Sequence, residues 1–146
     1  MDVLSRDDLE LLVRQPRSSC VSLYMPTHRS GPETQQDPIR LKNLIRRAEG
    51  SLVAAGIGRP DASKVLRPAR ELIEDEAFWR HQIDGLALFL RPGWFRYYRL
   101  PLAFEELVVA SDRFYVSELL PLLTGDGRFF VLALSENESR LLAGTR

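Results

Sequence analysis

A chain of 146 residues holds one ordinary domain, or one domain and a piece of the next. With 45% hydrophobic and 27% charged residues its composition is globular, which excludes wholesale disorder, and no apolar run reaches the roughly 18–20 residues of a membrane span. Its 20 basic and 20 acidic side chains cancel, which excludes a domain that clamps nucleic acid by bulk charge and leaves only a local patch for that purpose.

Residues 1–14 alternate acids and leucines and carry no secretory pattern. The one cysteine, Cys20, cannot close an internal disulfide. A soluble, cytoplasmic protein is the expectation.

In chain order, Ser5 with Asp8 three residues on reads as a helix cap. Leu9, Leu11, Leu12 and Val13 then give a short helix its apolar face, with Pro16 just past the end. Residues 20–25 read as a strand stopped by Pro26, and 27–36 as an exposed loop. Asp37-Pro38 opens a long helix, the acid at the cap and proline at the first helical position. Leu41, Leu44, Ile45, Ala48 and Leu52 form its buried stripe, and Gly56 and Gly58 end it.

Residues 61–82 are a second helical region, in which Pro68 predicts a break or a restart. Val65, Ala69, Leu72, Ile73, Ala77 and Trp79 fall on its inner face. Asp84-Gly85 turns into a strand over 86–90, and Pro92-Gly93 turns into another over 94–100, together a hairpin. Strand alternation puts Trp94, Arg96 and Tyr98 on one face and Phe95, Tyr97 and Arg99 on the other. Residues 107–110 predict a further strand, and 115–123 a short helix with Pro121 in its last turn.

Strands over 129–134 and 139–143 flank a tight turn at Glu136-Asn137. A lone hairpin is poorly stabilised by itself. It reads as the start of a second domain whose remainder is missing, and its open edges invite a neighbouring molecule or a second copy. The fold class is α/β in the broad sense, mixed α+β.

Candidate chemistry is sparse. His28 and His81 lie far apart with no partner at ligand spacing, so no metal site is expected, and a lone loop histidine reads as solvated. Cys20 reads as buried and inert. No nucleophile elbow, phosphate loop or dinucleotide fingerprint occurs, so no catalytic residue and no cofactor are assigned. Glu71, Glu74, Asp75 and Glu76 read as a solvated helix face.

The basic residues are more pointed. Arg29 lies in the loop, and Arg40, Lys42, Arg46 and Arg47 follow on the long helix, off its apolar stripe. Guanidinium groups suit phosphate because their planar fork donates two parallel hydrogen bonds, and Asn43 adds a directional contact. The alternative is an amphipathic helix keeping its polar side wet. A different surface, the aromatic strand Trp94, Phe95, Tyr97 and Tyr98, would suit a protein partner, because aromatics favour interfaces.

An ordered set of segments carries a resemblance. Residues 21–29 (VSLYMPTHR) lead into 37–44 (DPIRLKNL); later come 84–89 (DGLALF), 100–104 (LPLAF), 112–114 (DRF), 119–123 (LLPLL) and 126–129 (DGRF). Together they resemble the bacterial relatives of archaeal and eukaryotic class-one peptide chain release factors and of the related rescue factor Pelota. The resemblance implies an amino-terminal domain over 1–123, a mixed sheet flanked by helices, and the opening hairpin of a truncated middle domain over 128–146.

The family's decoding run Asn-Ile-Lys-Ser falls at Pro38-Ile39-Arg40-Leu41, where the isoleucine matches and Arg40 keeps the basic character. Its Tyr-x-Cys-x-x-x-Phe motif falls on Val108, Ala110 and Phe114, keeping only the phenylalanine. The Gly-Gly-Gln of the middle domain is absent from the 146 residues. The expectation is therefore a ribosome- or RNA-associated accessory factor, for rescue or stress, that does not read stop codons. A protein-interaction domain is the alternative, and a third possibility is an enzyme completed by residues beyond Arg146.

Overall fold

A computed structural model describes residues 4–123. Four strands make one sheet: β1 (Cys20–Pro26), β2 (Gly85–Arg91), β3 (Trp94–Leu100) and β4 (Leu107–Ser111), in the order β3-β2-β1-β4. Helix α1 (Arg6–Val13) precedes the sheet; α2 (Asp37–Ala54), α3 (Arg59–Leu72) and the short α4 (Glu76–Arg80) lie between β1 and β2. The mixed α+β class holds. The mixed sheet does not, because all of the described strand pairs are antiparallel. The Thr27 N–H donates to the Asp84 carbonyl at 3.0 Å, so the chain re-enters the sheet at the end of β1 it left. A strand that begins there beside β1 must run the other way.

β1 and β2 are buried on both faces, as their near-continuous apolar runs require. Strand alternation sorts their side chains into two cores. Val21, Leu23, Met25, Leu86, Leu88 and Leu90 face α2 and α3, where they meet the stripe Leu41, Leu44, Ile45, Ala48 and Leu52. Tyr24, Ala87 and Phe89 face the other way, under Leu9 and Leu12 of α1 and the segment carrying Phe104, Phe114 and Leu119. Tyr24 is fully buried; its hydroxyl donates to the Tyr115 carbonyl, and burial holds its phenol well above the usual value. The division of β3 also stands: Trp94 and Tyr98 join the second core, and Phe95 and Tyr97 the first. Pro92-Gly93 closes the β2–β3 hairpin with Gly93 at φ 74°, a conformation that glycine adopts without steric cost.

Ser5 caps α1 in a reciprocal box with Asp8. The expected break at Pro68 is absent, since α3 runs through it from Arg59 to Leu72. Proline removes one helix donor, and burial of Val65, Leu66 and Ala69 around it keeps the helix continuous. The interruption falls instead at 73–75, where Asp75 caps α4 by accepting from the Phe78 N–H. That restart turns Ala77 outward and buries Phe78 in its place. Pro68→Ala is expected to stabilise the protein by about 1–2 kcal/mol, the regained hydrogen bond offset by a looser unfolded chain. A higher urea midpoint at unchanged slope would register it.

The loop before α2 contains a 3-10 turn, Pro32–Gln35, and the helix expected near the end is a 3-10 segment, Ser117–Leu123. The hairpin expected over 128–146 lies outside the described residues. Among the described residues no helix is long and apolar enough to cross a membrane.

Candidate functional site

Helix α2 is a rigid platform because its apolar stripe is buried end to end between sheet and α3. Its start is fixed by polar contacts that the sequence pattern did not disclose. Asp37, expected to cap the helix, lies within its first turn with a side chain only 2% exposed. The His28 backbone N–H donates to Asp37 Oδ2 at 3.0 Å, and His28 Nδ1 lies 3.0 Å from Oδ1. Facing a carboxylate, which only accepts, Nδ1 is the donor. His28 is thus a tethered, part-buried side chain and not a solvated one. Burial raises the Asp37 carboxyl above the usual carboxylate range, against the opposing pull of His28 and Arg40.

The basic residues divide into two groups. Arg40 is committed on every guanidinium nitrogen: Nη1 lies 3.0 Å from Asp37 Oδ1, Nε 3.2 Å from Glu106 Oε2 and Nη2 3.5 Å from Glu33 Oε1. It stitches the 3-10 turn, the start of α2 and the approach to β4 into one cluster. Arg47 reaches the same Glu106 at 3.8 Å. Arg29 grips Asp84 with two nitrogens, at 3.3 and 3.2 Å, and that bond raises its pKa further. These arginines already have acidic partners, two of them, Asp84 and Glu106, from segments distant in sequence.

Lys42, Asn43 and Arg46 form the second group, all exposed. Lys42 and Arg46 make no ion pair among the described residues. They stand one helical turn apart, where two like charges cost roughly 0.2–0.5 kcal/mol unless an anion intervenes. Ile39, 52% exposed, lies four residues before Asn43 on the same outward face. An apolar spot beside two unpaired cations and an amide can grip an anion and cover part of its apolar body.

The aromatic surface is reduced. Tyr98 is buried at 1% exposure and is not available to a partner; burial pushes its phenol up to about 12. Trp94, Phe95 and Tyr97 are half-buried on β3, an edge strand of the described sheet. Arg96 stacks on Trp94 at 4.8 Å, which further covers that ring. Cys20 is fully buried, and burial raises its thiol, so it is a poor nucleophile. Glu71, Glu74, Asp75 and Glu76 are exposed. Among the described residues no group of three His, Cys, Asp or Glu side chains could hold a metal ion. Compared with protein-family models and with curated proteins, the sequence gives no match.

Proposed function

We propose that the chain is a cytoplasmic, non-catalytic RNA-binding module, an accessory factor that docks on ribosomal or other structured RNA and does not read stop codons. The observation that carries this reading is the pair Lys42 and Arg46, exposed, unpaired among the described residues and one turn apart on a helix whose apolar stripe is packed in the core. Asn43 between them supplies a directional contact. The ordered resemblance to release-factor amino-terminal domains supports the translation context, and the scaffold is read as one of that kind. Retaining such a scaffold without its decoding residues is consistent with function residing in sites and not in folds.

The test is ribosome co-sedimentation across a salt series, comparing wild type with Lys42→Glu/Arg46→Glu. Two phosphate contacts predict a log–log salt slope of about −1.4 to −1.8, and the double reversal should weaken binding more than about tenfold. Arg40 is left intact, because reversing it would disrupt the acidic cluster it joins. Wild type remaining in the supernatant at low salt, or a variant that pellets equally well, ends this reading.

A second reading has one observation in its favour: Trp94, Phe95 and Tyr97 stand half-covered on an edge strand, where a partner protein could add contacts. Binding through those rings would be nearly indifferent to salt and to the Lys42/Arg46 reversal, which separates the two in the same experiment.

A further inference from the structure

Lys42 and Arg46 face two ways: outward, and into a groove of about 310 Å³ between α2 and the end of α3. Arg70, Ile45 and Ile73 also line it, Ile45 almost entirely covered. Arg70 is fixed in place. Its Nη1 donates to Ser63 Oγ at 3.0 Å and its Nη2 to Glu49 Oε1 at 2.9 Å. Glu49, the acid inside the groove, is engaged by Arg70 and lies 3.8 Å from Arg59, so its charge is compensated. Glu74 is the remaining acid of the lining, exposed and without an ion pair among the described residues. Three cations against two acids leave the groove positive in a chain whose net charge is zero.

We infer that this groove seats one nucleotide unit, its phosphate on Lys42 and Arg46 beside the Arg70–Glu49 pair, and its sugar or base edge against Ile45 and Ile73. The volume lies at the small end of the range of about 300–1,000 Å³ for ligand sites. A lining of cations and isoleucines matches the division of a nucleotide into an anionic and a weakly polar part. A plain carboxylate would leave the isoleucines unused. The inference rests on the RNA-binding reading and narrows it, naming where the strand's contact is made. The unit can come from an RNA strand or from a free mononucleotide, which share this chemistry.

Glu74 makes the seat testable by gain of affinity. The full chain, its isoleucine methyls isotopically labelled, is titrated with an unstructured RNA oligonucleotide and separately with a nucleoside monophosphate. Glu74→Gln is expected to tighten binding roughly three- to tenfold at low salt by removing a repulsive charge from the lining. Glu71→Gln, the same change on an exposed α3 residue outside the groove, should alter it less than about twofold. The methyl signals of Ile45 and Ile73 should shift together on binding. Binding by the strand alone assigns the seat to RNA; equal binding by the monophosphate assigns it to a free nucleotide, and either outcome supports the groove. Equal effects of the two substitutions, with unmoved isoleucine methyls, would overturn the groove while leaving RNA binding through the outer face of α2 intact. If neither probe binds, the groove is overturned, and the ribosome co-sedimentation then decides the RNA-binding reading by itself.

Discussion

Gly85→Ala is expected to destabilise the fold by at least about 4 kcal/mol, a large share of the roughly 5–15 kcal/mol that holds an ordinary domain together. Gly85 begins β2, flanked by Pro26 of β1 and Leu100 of β3. A methyl group there would stand 1.9 Å from the Leu102 carbonyl oxygen and 2.7 Å from Phe104 Cδ2. The second clash could be relieved by moving a ring, the first only by moving backbone. Phe104 is itself committed, packed edge-on against Tyr24 at 5.1 Å between ring centres. Displacing it disturbs the ring whose hydroxyl ties β1 to Tyr115. Overpacked cores ordinarily cost about 1–3 kcal/mol when side chains can yield; here the nearest atom cannot. Urea unfolding of Gly85→Ala and of Gly85→Ala/Phe104→Leu measures the effect. If the backbone clash dominates, the smaller side chain at 104 recovers less than half of the loss. Nearly full recovery would show that ring crowding was the whole cause.

The sequence identified Gly85 only as half of a turn dipeptide, and that gap is typical. Periodic signals translated well: the stripe of α2, the alternation of β3 and the capping box at Ser5 are local patterns with local causes. Pro68 misled because a helix-breaking tendency is intrinsic to the residue, whereas burial of Val65, Leu66 and Ala69 is set by tertiary packing. The sheet came out antiparallel because two long helices return the chain to the end of β1 it left, a matter of geometry and not of composition. For the candidate site the division is sharper. All the basic residues of α2 could be read from the sequence, yet which of them are available could not. Glu33, Glu106 and Asp84 neutralise Arg40, Arg47 and Arg29 from positions up to 66 residues away, as in Arg40 with Glu106. Lys42 and Arg46 remain open: among the described residues neither makes an ion pair, although Glu49 and Glu74 line the same groove. The Arg70–Glu49 pair comes beside them only because α3 docks on α2.

Asp37→Ala is expected to cost about 2–4 kcal/mol, the second largest effect. Its carboxylate accepts from the His28 backbone, the His28 ring and Arg40 while nearly excluded from water. Removing one partner of a buried ion pair costs about 3–5 kcal/mol when the other charge is stranded. Arg40 is not stranded, since Glu33 and Glu106 remain, and the loss is correspondingly smaller. The His28 N–H is the group left without its acceptor, at about 1–3 kcal/mol if water cannot reach it. Asp37→Asn keeps an acceptor oxygen and should cost roughly half as much, about 1–2 kcal/mol. Acid titration separates charge from hydrogen bonding. Burial raises the Asp37 carboxyl above its ordinary 3.8, so the folded state holds this proton more tightly than the unfolded state. For this group alone, stability rises as pH falls from just above its folded value towards 3.8, the reverse of an acid held ionised by a salt bridge. Wild type should therefore gain on Asp37→Asn across that window in urea midpoints measured at matched ionic strength. A wild type that instead loses ground as the acid is added would mean that the cations, His28 and Arg40, outweigh desolvation at Asp37. The carboxylate would then strengthen the start of α2 most when ionised, and the platform under Lys42 and Arg46 would be an electrostatic construction as much as a packed one.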